Sequence, residues 1–345
     1  MDYRLYDDII YSMKLKIVNA RKLCFKILGD LGFPEEEKTL ITRNLIEAEL
    51  AGRRSHGLSR LVSIRKFVNS ENLGRRIAVG GEAIQILKQT PNSLFLDAKY
   101  KAGFYAIYKS LEQAIPMAKK GGIVSVGIKN AGYATGFIGA YAREATSNDL
   151  IFIGFHSIYG DLVPYGSTKA IFGTNPLTVG IPTFTEPVIL DMASSLTTMG
   201  DVVIAKNEGK QLKDKVAVDG DGNITNDPLK VLTEGGLLPI AGHKGSGLAF
   251  VIQLLAGALT GSSVGYAIPG GWSSFYILIN PVLFRSINDY KTDVEKAIAE
   301  LKKAPRAKGF EEVLFPGERA SRKRNEHMKL GEIEVSESLL QLLKS

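Results

Sequence analysis

Residues 235–261 constrain the fold more tightly than any other stretch. The second half, 248–261, is apolar almost all round at helical length, which predicts a helix buried on most of its surface. The first half ends in Gly242-His243-Lys244-Gly245-Ser246-Gly247, a glycine-rich loop with one histidine and one lysine. Glycines let backbone N–H groups approach a ligand, and the positive end of the following helix adds to the Lys244 charge. Such a loop suits an anion, most usefully a phosphate. The same spacing also fits a plain turn with a solvated lysine. Gly245-x-Gly247 runs on to Phe250, so no Gly-x-Gly-x-x-Gly fingerprint is completed, and none follows a strand elsewhere. An ordinary Rossmann site is disfavoured.

A chain of 345 residues, 45% hydrophobic, can bury a large core and hold two domains. Lysine and arginine outnumber the acids 43 to 36, an excess partly local to Arg319, Arg322, Lys323 and Arg324. Because no long basic run is interleaved with aromatics, nucleic acid is a poor partner. An anionic cofactor and a small carboxylate substrate suit the balance better. The single cysteine, Cys24, lies between Leu23 and Phe25 and reads as a core residue. With no signal-like apolar run and no stretch near the roughly eighteen apolar residues of a membrane span, a cytoplasmic protein is expected.

In chain order, helices are expected over 14–31 and 34–51, the latter opened by Pro34 and three glutamates that suit the helix dipole. Gly52 breaks that helix. Arg53-Arg54-Ser55-His56-Gly57 follows, then a third helix through Leu61, Ile64 and Val68. Strands are expected at 94–97, 123–128 and 150–155, with a helix over 104–119 and a glycine-rich passage from Asn130 to Gly139. The alternation predicts an α/β arrangement with ligands outside the strand ends. Strands at 177–181 and 275–279, a surface turn at 219–223 and helices at 289–302 and 337–343 complete the chain.

Only four histidines are available for acid–base work. His56 stands one helical turn before Arg60, a pairing that can protonate a carbonyl and clamp a carboxylate. A surface histidine at a helix cap is the plainer reading. His156, at the expected end of a strand, is the second candidate; His243 lies in the anion loop, and His327 falls in a polar tail. No histidines or cysteines have metal-ligand spacing, and no Gly-x-Ser-x-Gly elbow occurs.

Taken together, these stretches resemble the second type of the malate/L-lactate dehydrogenase family, a non-Rossmann group. That group includes malate, L-sulfolactate and ureidoglycolate dehydrogenases and cyclic-imine carboxylate reductases. The likeness rests on Ser55-His56-Gly57 with Arg60-Leu61, Gly173-Thr174-Asn175-Pro176-Leu177, Leu190-Asp191-Met192-Ala193-Ser194 and Gly242-His243-Lys244-Gly245. Asn280-Pro281 and Pro316-Gly317-Glu318-Arg319 extend it. The resemblance implies a homodimer and a dinucleotide-binding sheet peculiar to the family. It implies a helical domain (1–75 plus 310–345) near the substrate and an α/β domain (76–309) binding NAD or NADP. Ser157, Asp191, Met192, Ala193, His243, Lys244, Gly245, Gly317, Glu318 and Arg319 would then line the dinucleotide. Ser55, His56, Arg60 and His156 would face a 2-oxo or 2-hydroxy acid.

Three departures bear on the chemistry. Tyr133 stands at or next to the place of the family's proton-carrying histidine, Val216 replaces a tryptophan, and Ile64 replaces a tyrosine that touches substrate in some members. Proton transfer is therefore open among His56, His156 and Tyr133. Two alternatives stand beside dehydrogenation: reduction of a cyclic imine carboxylate, and a non-catalytic paralogue that only binds the dinucleotide.

Overall fold

The computed structural model describes residues 12–72, 75–157, 159–262, 264 and 271–344. The chain opens with β1 (Ser12–Lys16), α1 (Ile17–Asp30), α2 (Glu35–Leu50) and α3 (Arg60–Phe67). Next come β2 (Gln85–Thr90), β3 (Ser93–Asp97), α4 (Gly103–Gly121), β4 (Ile123–Ala131), α5 (Gly139–Thr146), β5 (Ile151–Ser157) and β6 (Tyr159–Leu162). They lead to β7 (Leu177–Ile181), β8 (Val188–Met192), α6 (Met199–Asn207), β9 (Ala217–Val218), β10 (Ile224–Thr225), α7 (Pro228–Thr233) and β11 (Gly236–Leu237). The last third holds α8 (His243–Ile252), β12 (Trp272–Ile279), α9 (Ile287–Lys303), α10 (Glu318–Leu330), β13 (Glu332–Ser336) and α11 (Glu337–Lys344).

The fold is mixed α/β. Seven strands form the main sheet in the order β2-β3-β4-β12-β5-β7-β8. Among the described residues of this sheet only β3 and β4 pair parallel, with Leu94 opposite Val126. β12 inserts antiparallel between β4 and β5, placing Tyr276 beside both Val126 and Gly154. The central place in the α/β sheet is thus taken by a strand from far down the chain.

α4 and α5 cover one face of the sheet, where Leu96, Val124, Ile128, Phe152 and Leu278 are buried. A second core joins α1, α2, α3, β13 and α11, and it also takes in Phe104 and Tyr133 from the sheet side. Within it Ile41, Leu45, Ile46 and Leu50 of α2 are fully buried, each burial contributing about 1.5–3 kcal/mol. Ile64 points into this core, while Val216 packs with Val202, Val231 and Leu237 in a small cluster under α6.

Three expectations change. Residues 14–16 belong to β1, which pairs with β13 so that Leu15 faces Ile333; the helix starts only at Ile17. His327 is buried rather than in a polar tail, its Nδ1 2.9 Å from the Leu50 carbonyl. The apolar run after the anion loop is helical, with a π-helical segment from Gln253 to Ala258. It is not buried on most of its surface, since Phe250, Val251, Leu254 and Leu259 are 41–63% exposed. Gly245, Ala249, Ile252, Gln253, Ala256 and Gly257 form its buried side, leaving Phe250, Val251 and Leu254 outward. Among the described residues no helix is long and apolar enough to cross a membrane.

Candidate active site

α2 ends at Leu50, and Gly52 turns the chain with a φ of +70° that suits glycine. A short helical turn, Arg54–His56, then carries Ser55 and His56. This loop is pinned from below: the Leu58 N–H donates to Glu49 Oε1 at 2.6 Å. A Cβ at Gly57 would lie 2.0 Å from that same oxygen, so the approach requires glycine. Ser55 Oγ lies 3.2 Å from His56 Nδ1. Burial, with the Arg60 and Arg53 charges, holds the half-buried His56 well below its ordinary pKa. Its imidazole is neutral at pH 7.

Arg60 opens α3 and donates a hydrogen bond from Nη1 to the Tyr133 hydroxyl. Tyr133 is only 5% exposed and is walled by Phe67 and Trp272, with ring centroids 4.9 and 5.6 Å away. Its own N–H donates to the Arg76 carbonyl at 3.1 Å. Across the site, a Cβ on Gly200 of α6 would come within 3.0 Å of both Arg60 Nη2 and Ser55 Cβ, so the start of α6 closes over both residues. Among the described residues, Arg60 Nε is buried without a hydrogen-bond partner. Asp161 on β6, which no sequence motif marks, completes the electrostatics: burial pushes its carboxyl up to about 6 against the Arg75 and Arg60 charges.

His156 sits elsewhere. It shares one face of β5 with Phe152 and Gly154 and so lies on the α4–α5 side of the sheet, with Nδ1 2.7 Å from Ser274 Oγ. Burial pushes it down to about 3, leaving a neutral imidazole whose Nε2 has no hydrogen-bond partner among the described residues.

A second constellation forms around Asp191 at the end of β8. Its Oδ2 accepts the Gly139 N–H at 2.8 Å and its Oδ1 accepts Thr178 Oγ1 at 3.1 Å. Burial raises the Asp191 carboxyl, opposed by the Arg53 charge and these hydrogen bonds. The Gly317 turn lies against the same strand: the Ile189 N–H donates to the Pro316 carbonyl at 3.0 Å, and Gly317 has a φ of +88°. A side chain there would strike the Ile189 carbonyl at 2.8 Å. Asp191, Gly317, Gly139 and Arg53 line one small cavity; Arg53 belongs to the charged corner but carries no motif of its own. The Glu318 carboxylate is turned away to Lys302, at 2.6 Å, and to Arg322.

The loop after Asp191, with Met192 and Ala193 half-buried, runs alongside the approach to the anion loop. The Ile240 N–H donates to the Ser194 carbonyl and the Leu196 N–H to the Leu238 carbonyl, both at 2.9 Å. The sequence-distant Asp-Met-Ala and His-Lys-Gly motifs are thereby joined. His243 and Lys244 are exposed at the start of α8. At Gly245 a Cβ would lie 2.1 Å from the Ile240 carbonyl, so only glycine fits. Among the described residues, Ser157 and its cross-strand neighbour Ser273 both bury hydroxyls without hydrogen-bond partners.

Residues 15–344 match the profile of malate/L-lactate dehydrogenases. The chain belongs to the malate/L-lactate dehydrogenase family. It is 31% identical over 332 residues to the malate/(S)-sulfolactate dehydrogenase of Methanothermus fervidus, covering 94% of each chain. It is 30% identical over 349 residues to the NAD(+) ureidoglycolate dehydrogenase of Escherichia coli K12, covering 96% of this chain and 95% of the relative. The solved sulfolactate dehydrogenase of Methanocaldococcus jannaschii superposes with a TM-score of 0.84 at 31% identity, over 96% of both chains.

Proposed function

We propose that this protein is an NAD- or NADP-dependent oxidoreductase acting at C2 of a small 2-oxo or 2-hydroxy acid, as malate and lactate dehydrogenases do. The Arg60–Tyr133 pair carries the reading: a guanidinium with a buried, unpartnered Nε stands beside a hydroxyl that it orients. Arg60 would hold the substrate carboxylate, and Tyr133 would give a proton to the carbonyl oxygen or take it back from the alcohol. The Arg60 N–H donated to that oxygen stabilises the phenolate left behind. Ser55 and His56 would contact the substrate, His56 as a neutral hydrogen-bonding group. His156, neutral and enclosed, would support the site from beneath without carrying a proton.

The residues fit a dinucleotide. Lys244, the N–H groups opening α8 and the tight glycine at Gly245 would hold its phosphates. The Ser157 hydroxyl and the Asp191, Met192, Ala193, Gly317 and Arg319 stretch would line the rest. When bound, the nicotinamide supplies or accepts the hydride. We assign residues 1–75 plus 310–345 to a substrate-side helical domain and 76–309 to the dinucleotide domain. The outward apolar side of α8 and the segment after it fits a homodimer contact, as the family resemblance implies, in a cytoplasmic protein.

A second reading has its own support. With His56 and His156 both held neutral, a substrate that brings its own proton, such as a protonated cyclic imine carboxylate, asks less of Tyr133. The decisive experiment follows NADH and NADPH absorbance with oxaloacetate, pyruvate, sulfopyruvate and a cyclic imine carboxylate. Oxidation by an oxo acid that is lost in Arg60→Ala supports the leading reading, and turnover of the imine alone supports the second. Dinucleotide binding with no turnover of any substrate would leave the inert paralogue and end the proposal.

A further inference from the structure

Asn175 is bonded to both of the sequence-distant motifs that flank the anion loop. It lies just before β7, buried, with a φ of +28° that asparagine tolerates better than most side chains. Its stretch of backbone holds the first motif. The hydroxyl of Ser194, which follows Asp191-Met192-Ala193, donates to the Asn175 carbonyl at 2.6 Å, and the Ser194 N–H donates to the Thr174 carbonyl at 2.8 Å. Its side chain holds the second. Nδ2 donates to the Ala249 carbonyl of α8 and to Gln253 Oε1, both at 2.9 Å. The latter bond lands where the helix passes from α to π, a change of pitch that recurs at functional sites.

These contacts close into a ring. Gly245, Ala249 and Gln253 follow one another at four-residue spacing along the buried face of the helix, so Ala249 stands one turn, about 6 Å, beyond Gly245. The Gly245 N–H donates to the Ile240 carbonyl at 3.0 Å, and the Ile240 N–H returns to the Ser194 carbonyl at 2.9 Å. Two loops that grip different parts of one ligand add their affinities only when their spacing matches that ligand. We propose that Asn175 is a positioning residue for the dinucleotide: acting through Ser194 and α8, it sets the spacing between the loop that holds the phosphates and the loop that lines the rest. This rests on the dinucleotide site proposed above.

Asn175→Asp keeps the size of the side chain and its tolerance of a positive φ, but sets a carboxylate oxygen against the Ala249 carbonyl. Calorimetry on the full chain would compare NADH, NADPH and inorganic pyrophosphate, the last engaging the anion loop alone. Dinucleotide binding should weaken about ten-fold or more while pyrophosphate binding stays within about two-fold, a split that a general loss of structure would not produce. Ser194→Ala removes only the hydroxyl link to the Asn175 carbonyl and should weaken the dinucleotide about three-fold or more in the same pattern, so the test holds if Asn175→Asp does not fold. Unchanged dinucleotide affinity in the folded variants, or equal weakening of dinucleotide and pyrophosphate, would overturn the proposal. A wild-type chain that binds neither dinucleotide, or no pyrophosphate, would overturn the dinucleotide site itself and this proposal with it.

Discussion

Arg60 donates a hydrogen bond to the hydroxyl of Tyr133, a residue 73 positions further along the chain and from a different part of the fold. Arg60 comes from the helical corner after α2, and Tyr133 from the passage leaving β4. The pair exists because Tyr133 is wedged between Phe67 of α3 and Trp272 of β12. The predicted chemistry turns on this contact.

Replacing Tyr133 by phenylalanine keeps the aromatic packing and removes the hydroxyl. Turnover of the oxo acid should fall by about 10²–10⁴-fold, the usual worth of a positioned acid or base. Dinucleotide binding, followed by fluorescence, should be unchanged. Wild-type turnover surviving in Tyr133→Phe would remove Tyr133 from the proton path.

Arg60→Lys keeps the charge but loses the planar fork. KM for the oxo acid should rise roughly 10- to 100-fold, in line with charge-assisted hydrogen bonds worth about 1.5–3 kcal/mol. The KM of the dinucleotide should stay within about two-fold. Steady-state kinetics with each substrate varied in turn would separate the two.

Both candidate imidazoles are held in the neutral form, His56 by burial and the Arg60 and Arg53 charges and His156 by burial. The rate of reduction should therefore show no imidazole-like break between about pH 6 and 8. Tyr133→His should introduce one, with the rate declining as pH rises through about 6.5, the free imidazole value. A wild-type break at that pH which vanishes in His56→Ala would instead make His56 the proton carrier.

Glu49 should mark the stability curve. Burial raises its carboxyl to about 7 in the folded chain against an ordinary 4.5, offset in part by the Leu58 N–H and the Arg54 and Lys323 charges. Between those values the native state keeps a proton that the unfolded chain has lost, so stability falls as pH rises and levels off above 7. The loss attributable to this group is on the order of 3 kcal/mol. Glu49→Gln should flatten that slope in denaturant unfolding at pH 5 and pH 8; an unchanged slope would mean that Glu49 ionises normally.

If the outward side of α8 and the π-helical segment after it is a subunit contact, Leu254→Glu should shift the chain from dimer to monomer in light scattering. A wild-type monomer would leave Phe250, Val251, Leu254 and Leu259 as plain exposed surface.

Much of this was determined locally, and so was legible without coordinates. α2 and α4 follow from helical periodicity, β7 from a short β-rich run, and the break at Gly52 from a left-handed turn that glycine tolerates. The anion loop, the Ser55–Arg60 corner and the Asp191 motif were likewise visible as residue strings. Tertiary structure alone decided what those strings touch. β1 pairs with β13 across more than 300 residues, and β12 enters the centre of a sheet whose other strands lie far before it. No local period encodes either pairing. Asp161 and Arg53 gain their charged neighbours from the fold, and the sheet that buries His156 holds its imidazole neutral. The run after Lys244 shows the limit most plainly. Periodicity says that a segment is helical and apolar, but which of its sides is covered depends on surfaces that meet only after folding.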